Sequence, residues 1–187
     1  MQWLENNQDP FWAKYRSGSK TDRELKDQTL KLEAEGKLTN LSKQPSLSAY
    51  IDPEHVEQPW RQVIPTEHMP AMNEINLRLN QFLHEVGGDK DYVIIPIINS
   101  TVRSIEYNNS LSNSSPTSAH LGYSAIDFSE TSYLVQKVGP DGKIIRYVET
   151  QNSEVFANAL SKVFYEMAKE GKIKVRRHGN HFHVVMA

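Results

Sequence analysis

Cysteine is absent from this 187-residue chain, which excludes disulfides, zinc knuckles and thiol catalysis together. The absence leaves the compartment open, because a chain without thiols tolerates either redox environment. No apolar run reaches the length of a membrane span. The longest, Tyr92-Val93-Ile94-Ile95-Pro96-Ile97-Ile98, predicts a buried strand instead. Neither sign of charge is in excess, and a net charge of −2 gives no reason to expect a nucleic-acid partner. The opening Met1-Gln2-Trp3-Leu4-Glu5-Asn6-Asn7 has neither the basic start nor the apolar core of a secretion signal. The expectation is a chain cytosolic when made, or one whose leader was trimmed.

What is present divides the chain in two. Residues 1–65 read as an N-terminal arm that holds Trp3, Trp12 and Trp60 but no nameable chemistry. Within it, Thr21 to Glu35 predicts a polar surface helix stopped by Gly36. Lys37 to Pro65, with scattered Pro and Ser, predicts an extended segment packed on the body through its aromatics. His55 and His68 are expected to be solvated.

Residues 66–187 read as the main domain. Met72, Ile75, Leu79, Phe82, Leu83 and Val86 recur at helical spacing, with Gly87-Gly88 as a stop and His84 off the stripe, expected exposed. The strand 92–98 follows, and its Pro96 predicts an edge or an irregular ladder. Asn108 to Thr117, rich in Ser and Asn, favours a loop. Tyr133–Val138 and Ile144–Val148 flank Gly139-Pro140-Asp141-Gly142, a hairpin signature. Ser153 is placed to cap a helix with a wide apolar stripe from Val155 to Ala168. Gly171 ends it, and Ile173–Arg177 and His181–Met186 predict two short strands. The order describes an α+β domain with a mainly antiparallel sheet and helices on one face.

Two segments concentrate the chemistry. Ser118-Ala119-His120-Leu121-Gly122-Tyr123-Ser124-Ala125-Ile126-Asp127 and His178-Gly179-Asn180-His181-Phe182-His183 together hold four of the seven histidines and one aspartate. Imidazole and carboxylate are ligand types that Zn²⁺ takes in catalytic sites, where three protein groups leave a position open. His120, Asp127 and His183 would make such a set. In a strand, residues two apart share a side, so His181 and His183 face one way while Phe182 and Val184 face a core. A loop turning through Gly122 and returning as the strand Ser124–Phe128 would bring His120 and Asp127 inward together. Against this stands the reading in which the histidines are surface or structural groups and no metal is bound.

The combination resembles the zinc peptidases that include the D-alanyl-D-alanine carboxypeptidases, the penicillin-insensitive murein endopeptidases and the zinc-bearing domain of hedgehog proteins. Their pattern is Ser-x-His, an Asp seven residues on, and a distal His-x-His. Here it is matched by Ser118-Ala119-His120, Asp127 and His181-Phe182-His183. Upstream, Ser100-Thr101-Val102-Arg103-Ser104 is similar to the family's Ser-x-x-Arg-Ser segment, and His178 adds a His-x-x-His-x-His pattern as in the murein endopeptidase branch. The resemblance spans roughly residues 92–187.

It implies a zinc site on the sheet, with His120, Asp127 and His183 as ligands. His181 is implied to assist proton transfer, with His178 as the other candidate base, and Arg103 and Ser118 are implied to bind substrate. It implies hydrolysis of a peptide amide in peptidoglycan stem peptides or cross-links. It also implies a setting outside the cytoplasm, periplasmic or secreted, or in a phage lysis system. Two departures stand out. Tyr123 occupies the place of a usual Gly three residues after the first His, where its ring would narrow the cleft. Asn180 replaces a carboxylate base three residues before the last ligand. The second departure leaves an alternative on the same scaffold, a zinc-containing module that recognises a wall peptide or a protein partner without cleaving it.

Overall fold

In a computed structural model of the chain, which describes residues 17–43, 50–51, 58–86, 91–112, 114, 118–151 and 153–186, four helices accompany a mixed sheet. The first, α1 (Asp22–Ala34), begins at a reciprocal cap: Glu24 N–H donates to Thr21 Oγ1 at 3.2 Å, and Thr21 N–H donates to the Glu24 carboxylate at 3.3 Å. Only Leu25 and Thr29 of this helix are buried, so it is the polar surface helix the sequence predicts. Gly36 follows with φ +71°, a left-handed turn that a side chain would strain.

The main sheet is built from β2 (Tyr50–Ile51), β4 (Tyr92–Ser100), β5 (Ala125–Val138), β8 (His181–Met186) and β7 (Ile173–His178), in that order. β6 (Ile144–Glu149) pairs with the C-terminal half of β5. Every pairing is antiparallel except that of β2 with β4. The expected motif strand and the first strand of the expected hairpin are one continuous element of 14 residues, β5. Two helices, α2 (Met69–Glu85) and α4 (Ser153–Lys169), pack into one core with the sheet residues Ile94, Ile126, Phe128, Phe182 and Val184. The α+β class is therefore the observed one. Phe164 of α4 lies between Phe128 and Phe182, with ring centroids 5.2 and 5.3 Å away. No helix among the described residues is long and apolar enough to cross a membrane.

Several local expectations are corrected. Lys37 to Pro65 is not simply extended: β1 (Leu38–Asn40) pairs with β3 (Val63–Pro65), and Ile51 of β2 joins the main core. Trp60 packs there against a second cluster of Leu25, Leu38, Val63, Val102 and Tyr123, whereas Trp3 and Trp12 lie outside the described residues. His68 is buried, not solvated, because it ends the turn that feeds α2 into the core; His55 lies outside the described residues. His84 is half-buried, its Nε2 3.3 Å from the Tyr92 carbonyl, and Gly87-Gly88 also lies outside the described residues. Part of the Ser/Asn run is helical: α3 (Ile105–Ser110) forms because Ser104 caps it, accepting from Tyr107 N–H at 3.0 Å. Ser153 is the first helical residue of α4 and Val155 is half exposed, so the buried stripe begins at Phe156. Pro96 lies where the β4–β5 register shifts, so it marks the irregular ladder, one of the two expectations.

Candidate metal centre

Register and alternation place the site. Asp127 on β5 lies directly opposite His183 on β8, and Ser129 opposite His181. On the other side of β8, Arg176 and His178 of β7 lie opposite His183 and His181. Residues directly opposite share a face, so Asp127, His183 and Arg176 form one row, and Ser129, His181 and His178 the next. The intervening residues, Ile126, Phe128, Phe182 and Val184, turn to the helices and enter the main core. Site and core thus use opposite faces of the same strands.

His120 reaches this face from a single 3₁₀ turn, Ala119–Leu121, capped by Ser118 Oγ, which accepts from His120 N–H at 3.3 Å. His120 Nδ1 is 2.7 Å from the Thr101 carbonyl. A carbonyl only accepts, so Nδ1 carries the proton and Nε2 presents a lone pair to the site. That Nε2 stands 3.0 Å from Asp127 Oδ2 and 3.1 Å from His183 Nδ1. His183 Nδ1 is also 2.9 Å from Asp127 Oδ1. One N–H, on His183, therefore serves an imidazole lone pair and a carboxylate oxygen at once, while His120 Nε2 and Asp127 Oδ2 face each other acceptor to acceptor.

Protonating His120 would relieve the conflict, but burial pushes its pKa down to about 4. Burial works in the opposite sense on Asp127, yet the two histidines outweigh it and hold the carboxyl well below the ordinary carboxylate range. At neutral pH the cluster is a buried, converging set of acceptors with one N–H, that of His183, among them. A cation resolves that arrangement. The donor atoms of His120, Asp127 and His183 all lie within 4.8 Å of one another, and the group could hold a metal ion. The Thr101 carbonyl sets the tautomer and aim of His120 and would be the outer hydrogen-bond partner of a ligating histidine if an ion were held there.

Around the cluster opens a cavity of about 350 Å³. His181 lines it with Nε2 3.9 Å from Asp127 Oδ1, and burial pushes its pKa down, so it is neutral at pH 7. His178 is exposed at the rim, its ring 5.4 Å from that of His181. Arg103 turns to the site and not to Glu106: its Nη2 donates to Asp127 Oδ2 at 3.3 Å and to Ser100 Oγ at 2.9 Å. Ser118 lines the wall, and Leu111, Ser112 and Ser114 border the mouth.

Three further residues sit elsewhere. Tyr123 does not narrow the cleft; it is buried in the second cluster under α1, its hydroxyl 3.1 Å from Thr29 Oγ1. Asn180 is exposed in the β7–β8 turn, where its carbonyl accepts from Glu130 N–H, and it does not line the cavity. Glu130 shares the Phe128 side of β5 and is buried against Arg177, with Nε to Oε2 at 2.8 Å. Sequence reasoning missed Thr101, whose contribution is a backbone carbonyl that no side-chain pattern announces. It also missed Arg176, which lies on the predicted strand Ile173–Arg177 two residues before His178 and so on its side. No family model, no curated protein and no solved structure matches the chain, so the chemistry of this centre is read from its own residues.

Proposed function

We propose that the protein is a zinc peptidase that hydrolyses a short peptide amide of the peptidoglycan type, with His120, Asp127 and His183 holding the ion. The observation that carries this reading is the His120 tautomer. Its Nδ1 is committed to Thr101, and its Nε2 lone pair meets Asp127 and His183 in a buried cluster that lacks enough protons to satisfy it. The donor set, two imidazoles and one carboxylate, suits zinc, and three protein ligands beside an open cavity is the pattern of catalytic and not structural sites. Bound there, zinc would supply a water acidified to near neutral pH and a Lewis acid for the scissile carbonyl.

The remaining work falls to the chain. Amide hydrolysis needs a proton taken from water and one given to the departing amine. His181, neutral at pH 7 and close to Asp127, is the imidazole within reach of both. Arg103, held by Ser100 and Asp127, presents a planar fork suited to a substrate carboxylate. A wall-directed enzyme of this kind would act outside the cytoplasm or in a phage lysis system.

A second reading, a zinc-containing module that binds a wall peptide without cleaving it, draws on one observation. Among the described residues lining the cavity, Asp127 is the only carboxylate, since Glu130 is engaged with Arg177 on the other face. Elemental analysis of the purified protein before and after chelation, run beside cleavage of purified peptidoglycan peptides, separates the two. The enzyme reading expects about one zinc per chain, lost in parallel with cleavage. Zinc without cleavage favours the binding module, and no zinc after reconstitution overturns both.

A further inference from the structure

Arg176 and Arg177 are neighbours on β7 and point to opposite faces. Arg177 is spent on Glu130, with Nε to Oε2 at 2.8 Å. Arg176 lies opposite His183, lines the cavity and forms no ion pair among the described residues. Among the described residues the cavity therefore presents two guanidiniums, those of Arg103 and Arg176, and a single carboxylate, Asp127, already engaged by His183 and Arg103. This basic lining is not a by-product of a basic protein, because the chain carries a net charge of −2. Positive groups lining a concave, partly desolvated wall select anionic ligands. A fork with no ion-pair partner among the described residues is available for a ligand oxygen pair.

We infer that the cavity takes a peptide bearing two carboxylates, one on Arg103 and a second, from an acidic side chain or an α-carboxyl along the peptide, on Arg176. The inference rests on the proposed peptide substrate and adds the charge of that substrate and the residue that reads it. Arg176 is a specificity residue, placed one strand away from the reacting centre.

The test is a calorimetric titration, in the presence of zinc, with synthetic peptides that end in D-Ala-D-Ala and carry Glu or Gln at successive upstream positions. At one position the Glu peptide is expected to bind about fivefold more tightly than its Gln counterpart, a preference that shrinks with added salt. Arg176→Gln should abolish the preference while leaving zinc content and affinity for the Gln peptide unchanged, and Arg176→Glu should reverse it. Arg177→Gln, on the other face, should leave it intact. No Glu preference at any position, a preference retained in Arg176→Gln, or no binding at all overturns the inference. Tight, Arg176-dependent binding without cleavage supports the inference and overturns the peptidase reading, so the two fail separately.

Discussion

At His120 a backbone carbonyl, that of Thr101, decides which ring nitrogen is available, and the metal hypothesis follows from that single hydrogen bond. Residue-scale tests follow from which groups touch the centre. His181 lines the cavity without belonging to the tight cluster. On the proposed zinc peptidase reading, His181→Ala should therefore retain zinc and lose about 10²- to 10⁴-fold in turnover, as removal of a proton-transfer group does; equal loss of zinc and activity would make His181 a ligand instead. Tyr123 is the converse case. Its hydroxyl meets Thr29 in a buried cluster away from the cavity, so Tyr123→Phe should cost about 1 kcal/mol in urea unfolding and leave zinc content unchanged. A change in peptide affinity in that variant would put the ring back in the cleft.

At the scale of elements, β5 and β8 serve two masters. One face of each carries Asp127 or His183, the other Phe128 or Phe182, and α4 clamps the second face through Phe164. Phe164→Ala should cost about 3–5 kcal/mol. Because the strands it supports also carry the proposed ligands Asp127 and His183, a partly folded population should, on that proposal, bind zinc more weakly. Val155→Ala on the same helix is half exposed and should stay within about 0.5 kcal/mol. Paired urea titrations with zinc affinities check both. A Phe164→Ala protein of unchanged stability would mean that α4 does not hold the sheet.

For the whole molecule, pH dependence comes in two windows. Burial depresses the His120 pKa from 6.5 to about 4, so between those values the unfolded chain binds a proton that the metal-free native state refuses. Stability of the metal-free protein then rises with pH across that window and is lost on acidification through it, by about 3 kcal/mol. Zinc should add stability above the window and be released within it as the ligands protonate. The second window lies lower. Hydrogen bonds from Arg78 and Lys172 hold Glu170 down to about 2 and Glu74 below its usual value. These groups tie α2 to the end of α4 and the start of β7. That contribution is complete above about pH 4.5 and fades as pH falls towards 2. Urea midpoints across a pH series should show both slopes in chelated protein; Arg78→Met should reduce the lower one, leaving the part that the depressed Asp127 contributes there, and should not change the upper one. A midpoint independent of pH between 4 and 6.5 would contradict a buried neutral His120.

What the sequence by itself determined was whatever depends on short-range periodicity: the capped helix after Thr21, the stripes of α2 and α4, the hairpin at Gly139-Pro140-Asp141-Gly142, and the shared face of His181 and His183. Alternation and capping act over a few residues and are written locally. The cluster of His120, Asp127 and His183 was legible as a candidate for the same reason, since His-x-His on a strand already converges. Only the tertiary structure decided the rest. Strand register set Asp127 against His183 and Arg176 on the next strand. The 3₁₀ turn delivered His120 to the carbonyl of Thr101. Packing under α1 drew Tyr123 into a second core, and Arg177 claimed Glu130. Apart from Arg176 and His183, which meet across one short turn, each of these is a contact between segments far apart in the chain, selected by burial and by pairing of polar groups, and no local pattern encodes which distant partner satisfies which group.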